Sequence, residues 1–234
     1  MTPSAEWKRI APGLVIDGRR GEVAEGTVTG DGGADVRESR SRSGRARATT
    51  HGELSHLALR MFVERGFERT TVDEIAAAAG IGRRTLFRYF PSKNDLAWGE
   101  FDDMLARFRV VLASLPTDIP VREALRRAVI AFNTFPSEEV PFHRQRMWLL
   151  LNVPTLVAHS TLRYAAWRQV IAEYVASRSG DAPDALRPQS VAWACLGVCL
   201  ATYERWLREE DADLTALLDE SFRRTGAVFG GDRG

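Results

Sequence analysis

Between residues 70 and 93 the chain places several hydrogen-bond donors on one short segment, TTVDEIAAAAGIGRRTLFRYFPSK. Such side chains donate to phosphate oxygens, and the guanidinium group also fits the O6 and N7 atoms of guanine. The donors are Arg83, Arg84, Thr85, Arg88 and Tyr89. A short helix, a turn at Gly80 and a second short helix carry them, which is typical of a helix-turn-helix that enters the major groove of DNA.

The charge distribution separates this segment from the rest of the chain. The 234 residues carry a net charge of +1, yet the stretch from Arg37 to Lys93 holds twelve basic and six acidic side chains. A basic block on a near-neutral body indicates that one segment contacts a polyanion.

The composition points away from membrane and secreted proteins. Hydrophobic residues make up 44% and charged residues 27% of the chain, which is ordinary for a globular protein. We find no apolar run of about 20 residues and no secretory signal. Cys195 and Cys199 lie four residues apart on one predicted helix and fit a reducing compartment. We therefore expect a cytoplasmic, nucleoid-associated protein that is not bound to a membrane.

Residues 1–48 are expected to form a disordered N-terminal arm, because their glycine-rich start has no sustained hydrophobic period. The stretch 37–47, RESRSRSGRAR, is either a solvated tail or an arm that follows the DNA backbone or minor groove. A translation start later than Met1 is a third interpretation.

From Thr50 onward the sequence predicts an all-α protein of about nine helices. Capping boxes at Thr50 and Thr71 begin the first two helices, and the third carries Leu86, Phe87 and Phe90 on its inner side. We predict a long fourth helix from Ser92 to about Ser114, and further helices at roughly 121–135, 139–151, 154–178, 187–208 and 212–228. They divide into a three-helix DNA-binding domain, 49–96, and a helical effector-binding and dimerisation domain, 97–230.

The stretch GFERTTVDEIAAAAGIGRRTLFRYFPSKNDL resembles the N-terminal domain of the TetR family of transcriptional regulators. Both show a Thr-capped helix with an Ile-Ala pair, a turn, and a Thr-Leu-aromatic segment before a Ser-Lys pair. Further along, VPTLVAHSTLRYAAWRQVIAEY resembles the TetR-type regulators of the mycofactocin system. The resemblance implies a sequence-specific repressor that binds a pseudo-palindromic operator as a homodimer.

The resemblance also gives roles to single residues of the helix-turn-helix. Thr71 would cap the second helix and present its hydroxyl and amides to a phosphate. Arg83, Arg84, Thr85 and Arg88 would contact base edges and adjacent phosphates, and Tyr89 and Lys93 would hold phosphates. Arg84 and Arg88 depart from the residues common in the family, so base preferences do not transfer from relatives.

The last two helices are the expected dimer interface, since a single helix-turn-helix offers few contacts for specific binding. Small residues there would let helices approach closely; the alternative is ordinary packing within one chain. The predicted interface residues are Trp193, Leu196, Gly197, Leu200, Tyr203, Leu217 and Phe222.

A chamber for an apolar effector is expected between the fourth helix and this interface, where large side chains accumulate. The alternative is that they form plain core. His143, Arg144 and Arg146 would reach a carboxylate or phosphate head group, and the resemblance implies a long-chain acyl-CoA as effector. The predicted ligand-binding residues are Phe101, Met104, Phe108, Arg144, Trp148, Tyr164 and Trp167.

Other functions find little support in the sequence. We find no nucleophile elbow, P-loop, dinucleotide fingerprint or zinc-protease motif, so we expect no enzyme, no cofactor and no metal site. Two alternatives stay open: an activator with the same fold, and a non-specific DNA-binding architectural protein.

Overall fold

The computed structural model describes residues 50–229. This part of the chain is all helical, with ten helices and no strand, which confirms the predicted fold class. The helices are α1 (His51–Arg65), α2 (Val72–Ala78), α3 (Arg83–Tyr89), α4 (Lys93–Trp98), α5 (Phe101–Ser114), α6 (Val121–Phe132), α7 (Val140–Asn152), α8 (Pro154–Ser179), α9 (Leu186–Arg208) and α10 (Leu214–Phe229). The predicted arm, 1–48, lies outside the described residues.

Local sequence signals set the ends of the first helices. Thr50 and Thr71 each accept a hydrogen bond from the backbone N–H three residues on, and Glu53 and Glu74 return the contact, so both predicted capping boxes are confirmed. Gly66 ends α1 with φ of 89°, a conformation that glycine adopts without strain. The apolar sides of α1, α2 and α3 meet in one small core. Its fully buried members include Leu54, Ala58, Phe62, Ile75 and Leu86.

The predicted long fourth helix is wrong, because the chain breaks it into α4 and α5 at Gly99. Gly99 has φ of 64° and donates its N–H to the Asp95 carbonyl at 3.0 Å, which closes α4. A Cβ at Gly99 would lie 2.9 Å from Arg146 Nη2 and 3.0 Å from Ser55 Oγ. Glycine therefore allows both the turn and the close approach of α7. This extra break accounts for ten helices where about nine were predicted.

Helices α5 to α10 form the larger part of the molecule around an aromatic-rich core. α8 and α9 pack along each other, and α10 packs on α9 and α6. Fully buried Phe108 lies against the rings of Phe132 and Trp167 at 5.0 and 5.7 Å. No helix of the described region has the length and apolar character needed to span a bilayer.

Polar contacts join the DNA-binding helices to this larger part. Asp95 of α4 accepts from Arg163 Nη2 of α8 at 2.5 Å, and His56 of α1 contacts Glu139 beside α7 at 3.0 Å. Burial raises the pKa of Asp95, but hydrogen bonds from Ser92 and Arg163 outweigh burial and hold this pKa below its ordinary value. A displacement of α4 or α7 would therefore also displace α1.

Candidate nucleic-acid interface and effector cavity

The second helix of the helix-turn-helix, α3, presents its cationic side to solvent. Leu86 is buried against α1 and α2, whereas Arg83, Arg84 and Arg88 are exposed and Thr85 is half-buried. Gly82 is the N-cap and has no side chain to hydrogen-bond the first turn. The buried side anchors α3, and the opposite side remains free to enter a groove.

Arg83 and Phe87 form a local cluster on this exposed side. The Arg83 guanidinium donates to Asp73 of α2 at 2.9 Å and lies 5.4 Å from the centre of the Phe87 ring. Phe87 is 36% exposed, so its predicted place in the core is wrong. The seven-residue α3 has room for only one buried stripe, which Leu86 and Phe90 occupy. Among the arginines of α3, Arg84 and Arg88 carry no ion pair to any described residue.

The Thr71 groups that were expected to contact a phosphate already have a hydrogen-bond partner in α2. Its hydroxyl and its backbone N–H both donate to Glu74 Oε2 at 2.7 Å. These bonds lower the pKa of Glu74, so the carboxylate stays charged. A phosphate at this helix start would have to displace Glu74 from the N–H groups.

Tyr89 and Lys93 lie at the end of α3 and the start of α4, packed on neighbouring rings. Tyr89 is half-buried, with its ring 4.8 Å from that of His51. Lys93 Nζ donates to the Glu68 carbonyl at 3.4 Å and lies 4.2 Å above the Phe67 ring. Burial lowers the pKa of Lys93. Their role as phosphate contacts stays a prediction.

An interior cavity of about 60 Å³ lies where the effector chamber was predicted. Of the predicted residues, it brings together Phe101, Met104, Tyr164 and Trp167. Several further lining residues were not predicted, because no local sequence signal distinguishes a residue that lines a cavity from one in the packed core. They are Trp98, Asn133, Met147, Leu150 and Cys199, with Leu196, Leu200 and Tyr203, which had been expected elsewhere; the wall also contains Phe132, one of the large side chains expected there.

Three predicted ligand-binding residues do not line this cavity. Phe108 and Trp148 are buried in the surrounding core. Arg144 has a structural contact instead: its guanidinium donates to the carbonyls of Trp206, Glu209 and Glu210 and lies 4.1 Å from the Trp206 ring centre. The last carbonyls of a helix lack partners within it, and a cation there stabilises the helix. Arg144 thus caps the end of α9.

A buried polar network forms one side of the cavity. Tyr203 OH donates to Asn133 Oδ1, so His143 Nε2 donates to the Tyr203 oxygen at 2.8 Å. Burial lowers the pKa of His143 well below its ordinary value and keeps the ring neutral. His143 therefore reaches the cavity as a neutral ring.

The predicted dimer residues divide between two sides of α9. Leu196, Leu200 and Tyr203 face the interior cavity, and Leu217 of α10 is buried within the chain. Trp193 is 57% exposed and Gly197 is exposed, with nothing within 4 Å of a Cβ added to it. Phe222 lines an open outer groove of about 1300 Å³ together with Val191, Ala194 and Val198.

Comparison with known sequences agrees with this arrangement of a small cationic helix-turn-helix and a helical body. Residues 55–97 match the family described as bacterial regulatory proteins, tetR family, and residues 119–230 match the MftR C-terminal domain. The chain belongs to the TetR family of helix-turn-helix transcriptional regulators and is a DNA-binding protein.

Individual relatives narrow the comparison further. The chain is 48% identical, over 80% of its own length and 94% of the other, to a protein of Mycobacterium tuberculosis (strain ATCC 25618 / H37Rv) described as a candidate mycofactocin biosynthesis transcriptional regulator, MftR. Two solved structures share the fold. The fatty acid degradation regulator FadR of Bacillus halodurans has a TM-score of 0.54 at 19% identity, covering 80% of this chain and 98% of its own. FadR of Bacillus subtilis, in complex with stearoyl-CoA, has a TM-score of 0.52 at 16% identity, covering 74% and 96%.

Proposed function

We propose that the protein is a homodimeric repressor whose release from its operator is triggered by a small apolar molecule bound in the interior cavity. One observation carries this proposal: the cavity wall includes Trp98 of α4 and Arg146 of α7, and Arg146 also holds α1. A ligand that enlarges the cavity would therefore shift the helices that carry the DNA-binding unit. Because DNA is its partner, the protein would work in the cytoplasm at the nucleoid.

The exposed side of α9 supports the homodimer. Trp193, Ala194, Gly197 and Ala201 are all exposed there, and three of the four are small enough for a second helix to approach closely. A two-fold dimer would place two copies of α3 in successive major grooves, about 34 Å apart along the DNA. Arg84 and Arg88 would read base edges, and Thr71, Tyr89 and Lys93 would position the helix on phosphates.

A long-chain acyl-CoA is our candidate effector. The cavity wall is mostly apolar, which suits an acyl chain, and the Bacillus subtilis structure shows that this fold accommodates stearoyl-CoA in another protein. At about 60 Å³ the cavity is far smaller than the roughly 300 Å³ at which typical ligand sites begin. An acyl chain must therefore open it, and this required change of shape would make the ligand a regulator.

The test begins with selection of bound sequences from random duplex DNA by the purified full chain. We expect one pseudo-palindromic sequence, bound at physiological salt against excess random DNA. Titration with stearoyl-CoA should then weaken operator binding about 100-fold, which corresponds to roughly 2.7 kcal/mol of coupling. Free coenzyme A is the control and should have no effect.

Other outcomes would identify the alternatives. Binding that random DNA competes away equally would indicate a non-specific architectural protein. Operator binding that strengthens with ligand, together with increased transcription in vitro, would indicate an activator. An operator affinity unchanged by every bound ligand would reject effector-triggered release.

A further inference from the structure

The guanidinium of Arg146 is a half-buried cation without a salt-bridge partner among the described residues. Arg146 lines the interior cavity, and within residues 50–226 it forms no ion pair. Glu139 and Glu100 attract it only from a distance, and burial lowers its pKa. No carboxylate belongs to the cavity wall. A partly desolvated charge without a carboxylate partner is costly, so its retention at this place requires an explanation.

The guanidinium keeps part of its donor capacity unused. Its Nε donates to the Ala97 carbonyl at 3.2 Å and its Nη2 donates to Ser55 Oγ at 3.0 Å. To atoms of the described residues, Nη1 donates no hydrogen bond. Gly99 leaves the space that this side chain occupies, since a Cβ there would lie 2.9 Å from Nη2.

A second donor on the same wall also lacks an acceptor. Trp98 is 94% buried, and its indole Nε1 has no hydrogen-bond partner. The Tyr164 ring lies 5.6 Å from the Trp98 ring, and its hydroxyl is likewise buried without a hydrogen-bond partner. Buried polar atoms are almost always hydrogen-bonded, so these two groups on residues of one cavity wall, together with the unused Nη1 of Arg146, indicate a missing acceptor.

We propose that Arg146 receives the carboxylate of the effector, so that the ligand class is an apolar molecule ending in a carboxylic acid. The two oxygens accept from Arg146 Nη1 and Trp98 Nε1, and the apolar remainder packs on Phe101, Phe132 and Trp167. Arginine and carboxylate form the strongest type of hydrogen bond available here, because both partners are charged. This inference rests on the proposed effector site but not on an acyl-CoA as its ligand: a thioester has no carboxylate, so the ligand class proposed here is the free carboxylic acid.

The position of Arg146 also gives the carboxylate a route to the DNA-binding unit. Ser55 belongs to α1, and its hydroxyl donates in turn to the Leu96 carbonyl of α4 at 3.1 Å. A carboxylate that attracts the guanidinium into the cavity weakens its bonds to Ser55 and Ala97. Ligand binding and the position of α1 are then coupled through one side chain.

The test compares three ligands of equal chain length by calorimetry on the full chain without DNA: decanoate, 1-decanol and decanoyl-CoA. We expect decanoate to bind at least tenfold more tightly than 1-decanol, as a charge-assisted hydrogen bond implies. Arg146→Gln should abolish this preference and leave 1-decanol binding unchanged. The control is Arg107→Gln, which removes an exposed arginine of α5 and should preserve the preference.

Equal affinity for decanoate and 1-decanol, an unchanged preference in Arg146→Gln, binding of decanoyl-CoA alone, or binding of none would each overturn the proposal. Trp98→Phe keeps an aromatic, though smaller, ring and removes the N–H, so it should weaken decanoate binding about tenfold and leave 1-decanol binding less affected. If Arg146→Gln loses its helical circular dichroism, the decanoate affinity of Trp98→Phe is the measurement that tests the proposal. Arg146-dependent decanoate binding that leaves operator affinity unchanged would reject the proposed release mechanism but keep this site.

Discussion

At the residue scale, each arginine near the two candidate sites has a different role. Arg144 caps α9, Arg83 is paired with Asp73, and Arg146 is half-buried without an ion pair to the described residues. Arg84 and Arg88 are the arginines of α3 that project into solvent without an ion pair to the described residues. Sequence spacing located all five but could not separate these roles, because pairing depends on residues that are far apart in the chain.

The contrast between Arg84 and Lys93 tests the predicted division between base and phosphate contacts. Arg84→Ala should weaken binding to the selected operator by about 1–3 kcal/mol and relax the base preference at one position of that operator. Lys93→Ala should weaken binding to operator and random DNA alike and reduce the salt slope by about one unit. Fluorescence anisotropy at several salt concentrations measures both. The opposite pattern would reverse the assigned roles.

Asp95 predicts a pH-dependent contribution to stability. Its pKa is held below the ordinary value of 3.8, so the folded state gains stability from the charged form above that pH and loses this gain as the pH falls. Asp95→Asn should lower the free energy of unfolding by about 1–3 kcal/mol at pH 7. In urea titrations, the gap between wild type and variant should narrow as the pH falls below 3.8. A gap independent of pH would show that the carboxylate charge contributes nothing.

At the element scale, helix ends were predictable wherever a short signal determines them. The two capping boxes are local signals, and the structure confirms the helices that they begin. The break at Gly99 escaped prediction because glycine also occurs within helices, and the reason for this one is Arg146, 47 positions further along. Only some of the cavity-lining residues were predicted. Hydrophobic periodicity identifies the inner side of a helix, but it does not show whether a side chain there lines a cavity or lies in the packed core.

Gly99→Ala tests why α4 and α5 are separate. A Cβ at this position meets both a positive φ and the Arg146 side chain, so we expect a loss of about 2–3 kcal/mol in the free energy of unfolding. Gly180→Ala is the matched control, because Gly180 has φ of 77° but open space around it. The control should lose only about 1 kcal/mol. Equal losses in thermal denaturation would mean that crowding by Arg146 is unimportant.

At the scale of the whole molecule, α9 is a wall between the interior cavity and the proposed partner subunit. Its apolar residues point both ways, which explains why the predicted dimer interface combined Leu196 and Tyr203 with Trp193 and Gly197. A single periodic pattern cannot assign two apolar sides of one helix to different neighbours. Only the packed structure separates them.

Gly197→Arg tests the proposed dimer. The monomer offers open space at Gly197, so the new side chain should leave folding intact and obstruct only a second copy. We expect sedimentation equilibrium to show a monomer, with operator affinity reduced at least 100-fold because paired half-sites are no longer bound together. Ala106→Arg, on the exposed side of α5, is the control and should remain dimeric. A Gly197→Arg dimer of unchanged stability would place the interface elsewhere.

The two cysteines lie one helical turn apart on α9 and border different spaces. Cys199 borders the interior cavity and Cys195 borders the outer groove. Burial raises the pKa of Cys195 to about 12, and burial raises the pKa of Cys199 well above its ordinary value, so both thiols stay protonated at rest. Since only thiolates react readily with alkylating reagents, each thiol should stay unreactive until a change in its surroundings exposes it to water. The chain therefore carries two built-in chemical probes, one beside the interior cavity and one beside the outer groove.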